Sequence, residues 1–120
     1  MTKTTLVLGA SLKTNRYSNI AINRLVQANH SVVAFGLTEG KVNGVQIDTE
    51  LLPYEDVDTV TLYLSPKHQK AYYDYILSLN PKRVIFNPGT ENPEFYKILR
   101  ENNIQFEVAC TLVLLATEQY

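Results

Sequence analysis

TLVLGASLKTNRYSNIAINRLVQANHSVVAFG, residues 5–36, holds two apolar runs separated by a small polar loop and a helical pattern. TLVLGA (5–10) and SVVAFG (31–36) are of strand length and apolar without polar alternation, as strands buried on both faces are. Between them, RYSNIAINRLVQANH (16–30) carries Ile20, Leu25, Val26 and Ala28 as a one-sided apolar stripe and closes near Asn29 and His30. Strand, helix and strand in that order form a right-handed βαβ unit. Such a unit places the loop from Gly9 to Arg16 at the carboxyl end of a parallel strand, where open α/β sheets bind their ligands.

The pattern continues outward from this unit. VTLYL (60–64) and RVIFN (83–87) repeat the buried-strand composition, and QFEVA (105–109) repeats it more weakly. In KHQKAYYDYILSLN (67–80), Tyr72, Tyr75, Ile76 and Leu79 follow a helical stripe that leaves Tyr73 facing outward, while Ser65 and Pro66 supply an N-cap and a first-turn proline. Asn92 and Pro93 open a third helix in the same way, with Phe95, Ile98 and Leu99 directed inward. Residues 37–58 break the alternation: a glycine-containing turn, a short VQI strand, the acidic LPYEDVD stretch and Pro53 replace a helix and point to a sheet edge. TLVLLAT (111–117) suits a short helix or a strand, and leaves a homodimer contact or another protein partner open. The class is therefore α/β, with a mainly parallel five-stranded sheet.

A chain of 120 residues with 45% hydrophobic content suits one domain over residues 1–120. Eleven basic side chains against twelve acidic ones leave a net charge of -1, so no overall field favours nucleic acid or a membrane surface. Any anion has to be bound locally. One cysteine, Cys110, excludes an internal disulfide framework and a multi-cysteine metal cluster, and fits a reducing cytoplasm. Neither a signal peptide nor a membrane-spanning run is expected, and no zinc-ligand spacing occurs.

The loop after the first strand sets the chemistry. Gly9, Ala10 and Ser11 permit a tight turn with free N–H groups, and the following helix directs its positive end there, an arrangement that suits a pyrophosphate or an ordinary strand-to-helix turn. The dinucleotide fingerprint G-x-G-x-x-G is missing, because Ser11 and Thr14 occupy its later glycine positions. An NAD site would also place an Asp or Glu at the end of the second strand, where this chain reads Phe35, Gly36 and Leu37. With Lys13 and Arg16 close by, coenzyme A or NADP remains as the better class of ligand.

GAS-x-x-x-x-RYS (9–18), YLSP (63–66) and NPGTEN (87–92), in that order on successive strand ends, resemble the small single-domain CoA-binding proteins. These are similar in fold to the CoA-binding domain of the succinyl-CoA synthetase alpha subunit. The resemblance implies a Rossmann-like three-layer αβα domain whose first loop, Gly9 to Ser11 with Arg16 and Ser18, holds CoA phosphates, with Lys13 beside it. It implies that Phe35, Gly36 and Leu37 border the nucleotide, that Tyr63, Leu64, Ser65 and Pro66 line the pantetheine path, and that Asn87, Pro88, Gly89 and Thr90 stand where the thiol end emerges. Many relatives carry prolines where this chain has Leu12 and Lys13, then Gly36 and Leu37. The histidine that the synthetase phosphorylates lies in a different domain, so ligase chemistry is not carried over.

A CoA or acyl-CoA binding module with no catalytic residue and no metal is the expectation, with an NADP-linked oxidoreductase as the alternative. Three residues are read both ways. Asn92 and Pro93 are explained by helix capping, but Asn87 and Gly89 are not, and a buried Asn at a strand end needs partners from protein or ligand. Cys110 reads as a small buried hydrophobe or as a thiol facing the pantetheine sulfur. His68 reads as a solvated first-turn residue beside the site, and His30 as a surface residue at the opposite end of the sheet.

Overall fold

The computed structural model describes residues 4–120. Strands β1 (Thr4–Ala10), β2 (Ser31–Gly36), β3 (Gly40–Val42), β4 (Val45–Asp48), β5 (Val57–Leu62), β6 (Arg83–Phe86) and β7 (Gln105–Val108) form one sheet in the order β3-β4-β2-β1-β5-β6-β7. All neighbours are parallel except β3 and β4, which pair as an antiparallel hairpin. Seven strands rather than five make the Rossmann-like sheet: the short VQI strand expected at the edge joins it as β4, and β3 is added beside it. There Asn43 (φ 49) and Gly44 (φ 83) adopt the left-handed conformations of a tight hairpin turn, pairing GKV with VQID.

Five α-helices cover the two faces: α1 (Tyr17–Gln27), α2 (Pro66–Gln69), α3 (Tyr73–Leu79), α4 (Pro93–Glu101) and α5 (Thr111–Ala116). On one face Leu6, Leu8, Val60, Leu62, Val84 and Phe86 pack against Tyr73 and Ile76 of α3 and Phe95 and Leu99 of α4. On the other, Val7, Ala34 and Ile47 meet Ile22 and Leu25 of α1, with Leu115 of α5 alongside. The result is the expected three-layer αβα arrangement. TLVLLAT resolves into α5, and no helix among the described residues is long and apolar enough to cross a membrane.

Two helical readings shift. α1 buries Ala21, Ile22 and Leu25, leaving Ala28 exposed past its end, where Asn29 (φ 65) turns the chain left-handed. The second crossover helix is interrupted by a 3-10 segment, Lys70–Tyr72, which changes the phase of everything after it. Tyr73 is therefore buried rather than exposed, stacked on Phe95 with ring centroids 4.3 Å apart, while Tyr72, Tyr75 and Leu79 are half-buried.

This wiring positions the site. From β1 the chain crosses by α1 on one face to reach β2, whereas from β5 it crosses on the other face to reach β6 and β7. The strand order reverses between β1 and β5. Helices leave the sheet in opposite directions there, and a crevice opens outside the carboxyl ends of those two strands.

Candidate functional site

Two glycines let three strand ends converge at the crevice. A Cβ on Gly9, which has φ +101, would stand 3.0 Å from the Tyr63 carbonyl carbon and oxygen. At Gly36 it would stand 2.3 Å from the Ala10 carbonyl oxygen, closer than any side chain tolerates. The β1 loop is then folded back on α1: Asn19 Nδ2 donates to the Ser11 carbonyl at 2.9 Å, the Lys13 amide donates to Ser11 Oγ at 3.1 Å, and the Arg16 amide donates to the Lys13 carbonyl at 3.1 Å. Arg16 is the residue preceding the helix, exposed, and its side chain caps nothing. The Asn19 and Ile20 amides donate to the Arg16 carbonyl at 3.1 Å, which leaves the Tyr17 and Ser18 amides as the first-turn donors of α1 with no acceptor inside the helix.

The opposite wall is built by the β5–α2 and β6–α4 loops. Asn87, only 2% exposed, donates from Nδ2 to Thr61 Oγ1 (2.7 Å) and the Leu62 carbonyl (2.8 Å), and accepts at Oδ1 from the Thr111 amide (2.9 Å). That side chain joins β6 to β5 and to the start of α5. Of the two kinds of partner open to it, protein or ligand, those seen are protein groups. The Gly89 amide donates to Glu91 Oε1 at 2.8 Å, the Thr90 hydroxyl donates to the Asn87 carbonyl at 2.7 Å, and Asn92 Oδ1 accepts from the Phe95 amide as the N-cap of α4.

Between the walls lies a cleft of about 810 Å³. Gly9, Ala10, Ser11, Lys13, Arg16 and Ser18 line it on the β1 side, Gly36 and Leu37 on the β2 side, and Leu64, Ser65, Pro88 and Gly89 across from them. Of the expected contact residues, Asn87 and Pro66 lie outside this lining, and the others face one space. Sequence reasoning missed Lys67, which follows Pro66 in the first turn of α2, and Tyr17, Thr38, Ala71 and Tyr72. The capping pattern that marks Ser65 and Pro66 carries the signal for Lys67, since the next residue shares their turn. Cys110 is half-buried just before α5 and lies outside the lining.

Charge in the cleft is one-sided. Lys13, Arg16 and Lys67 line it, with His68 beside Lys67, and among the described residues no Asp or Glu does. Phe35 and Tyr72, in edge-to-face contact with centroids 5.4 Å apart, add an aromatic patch, with Leu64 nearby. Ser65 Oγ and His68 Nδ1 stand 2.9 Å apart in the first turn of α2, both exposed, and no carboxylate lines the cleft to orient the imidazole. The Tyr63 hydroxyl is buried and makes no hydrogen bond of normal geometry, although the Thr61 and Thr111 hydroxyls lie close to it. Burial pushes the Tyr63 phenol up to about 12, against a smaller opposing effect of Thr111 and Thr61. Cationic side chains thus stand beside an apolar and aromatic surface in one cleft.

The family model described as a CoA binding domain matches residues 3–116 of this chain. A crystal structure of an uncharacterized protein is similar over 100% of this chain and 99% of its own, at 49% identity and a TM-score of 0.97. A hypothetical protein from Pyrococcus horikoshii is 26% identical over 93% of this chain and 80% of its own, with a TM-score of 0.83. A Thermus thermophilus protein, 24% identical over 99% of this chain and 91% of its own, shares the fold with a TM-score of 0.86. No curated protein sequence matches.

Proposed function

The chain belongs to the CoA binding domain family, and from that premise we propose that residues 1–120 form one domain that binds coenzyme A or an acyl-CoA between β1 and β5, as a non-catalytic binding or regulatory module. The observation that carries this reading is the cleft's charge: among the described residues Lys13, Arg16 and Lys67 line it and no Asp or Glu does, and the open Tyr17 and Ser18 amides of α1 stand at the same loop. In this reading Gly9, Ala10, Ser11 and Ser18 hold the diphosphate through main-chain and hydroxyl groups, with Lys13 and Arg16 paired to its charge. Gly36 and Leu37 border the adenosine. Leu64 and Ser65 follow the pantetheine arm, and Pro88 and Gly89 stand at its thiol end.

The non-catalytic role rests on the same inventory. Ser65 and His68 are the nearest approach to a nucleophile and base, but their hydrogen bond closes the first turn of a short helix, and the imidazole has no carboxylate to orient it. Titration calorimetry with CoA, dephospho-CoA and NADP tests the proposal. Saturable one-to-one binding of CoA, weaker binding of dephospho-CoA and none of NADP is the expected result. Preference for NADP over CoA would overturn it and favour a nicotinamide-dependent reaction.

A further inference from the structure

Gln69 is a polar side chain with no solvent exposure, placed between the two loops that make the far wall of the cleft. Its Nε2 donates to the Leu64 carbonyl at 2.8 Å, in the β5–α2 loop, and to the Thr90 carbonyl at 2.7 Å, in the β6–α4 loop. Its Oε1 accepts from Asn92 Nδ2 at 2.9 Å, and Asn92 Nδ2 also donates to the Tyr73 hydroxyl at 2.7 Å. Both amide protons and the amide oxygen are therefore in use. The two carbonyls it joins belong to Leu64 and Thr90, which themselves line the cleft.

We infer that Gln69 is a positioning residue that fixes the spacing of the pantetheine-side wall, and so sets how strongly the protein prefers whole CoA over its nucleotide half. This rests on the reading that the cleft holds CoA. The β1 loop and the end of β2 are braced separately, by the Asn19 bond to Ser11 and the close approach of Gly36 to Ala10. The nucleotide half therefore meets a surface that Gln69 does not touch. Only the pantetheine arm, running past Leu64 and Gly89, depends on the two loops keeping their distance.

The experiment measures dissociation constants for CoA and for adenosine 3′,5′-bisphosphate, which lacks the pantetheine, with the native protein, Gln69→Met and Gln69→Asn. Methionine matches the length without donating, and asparagine keeps an amide too short to reach both carbonyls. For a folded variant, CoA affinity is expected to fall about tenfold while affinity for the bisphosphate stays within about twofold, a fall equal to about 1.4 kcal/mol. Equal loss for both ligands, or no loss for either, would overturn the inference, because a merely structural residue lowers both together. Failure of both variants to fold would overturn it as well, placing Gln69 in the core rather than in control of the wall. Failure of the native protein to bind CoA at all would instead remove the reading beneath it.

Discussion

Arg16 is the residue on which the proposed phosphate contact leans most. It is exposed and caps nothing, so Arg16→Glu leaves the fold intact while reversing a charge beside the loop. Its expected effect is a loss of CoA affinity of about tenfold or more, with an unchanged melting temperature, read by calorimetry and thermal denaturation in parallel. Gly36 sits at the other extreme. Gly36→Ala would press a methyl into the Ala10 carbonyl and should destabilise the protein by about 1–3 kcal/mol, visible as a lowered urea midpoint. The tyrosines add a pH dependence. Burial raises the Tyr63 and Tyr75 phenols to about 12, above the ordinary value of about 10, so the folded state keeps protons that the unfolded state has already lost. Stability is then complete below about pH 10 and falls as pH rises toward 12. Tyr63→Phe should lessen that alkaline loss without cost at neutral pH, because the hydroxyl makes no hydrogen bond of normal geometry there; urea titrations at pH 8 and pH 11 check both points.

At the scale of elements, what was legible depended on whether the signal was local. The βαβ unit from β1 to β2 could be read because its two strands are buried on both faces and lack polar alternation. The N-cap Asn92 could be read because capping needs only its own turn, and its side chain does accept from the Phe95 amide. The α2–α3 segment could not be read fully. Its residues suit one continuous helix, whereas the 3-10 interruption at Lys70–Tyr72 turns Tyr73 inward onto Phe95, a contact 22 residues away in sequence. Asn87 was singled out because a buried amide needs partners, but the partners are Thr61, Leu62 and Thr111, up to 26 residues away, and no spacing rule reaches that far. Asn87→Ala would strand those groups, with an expected destabilisation of about 2–3 kcal/mol in chemical denaturation. Gln69 left no trace in the sequence at all, since a glutamine in a lysine-rich helical turn reads as solvated surface.

At the scale of the whole molecule, the site follows from topology. The alternation of strands and helices points to the carboxyl edge of the sheet, and the reversal of direction between β1 and β5 fixes where on that edge a crevice opens. The hairpin of β3 and β4 extends the sheet beyond β2, away from that crevice, which is why a reading with five strands still leads to the same edge. The net charge of -1 hides a cleft lined by Lys13, Arg16, Lys67 and His68, where the carboxylate next to the wall, Glu91, is engaged by the Gly89 amide. A crystal structure of the protein with CoA tests the central claim most directly. Diphosphate density bonded to the amides of the Gly9–Ser18 loop, with the adenine beside Gly36 and Leu37, is the result expected; a coenzyme seated anywhere other than between β1 and β5 would contradict the account.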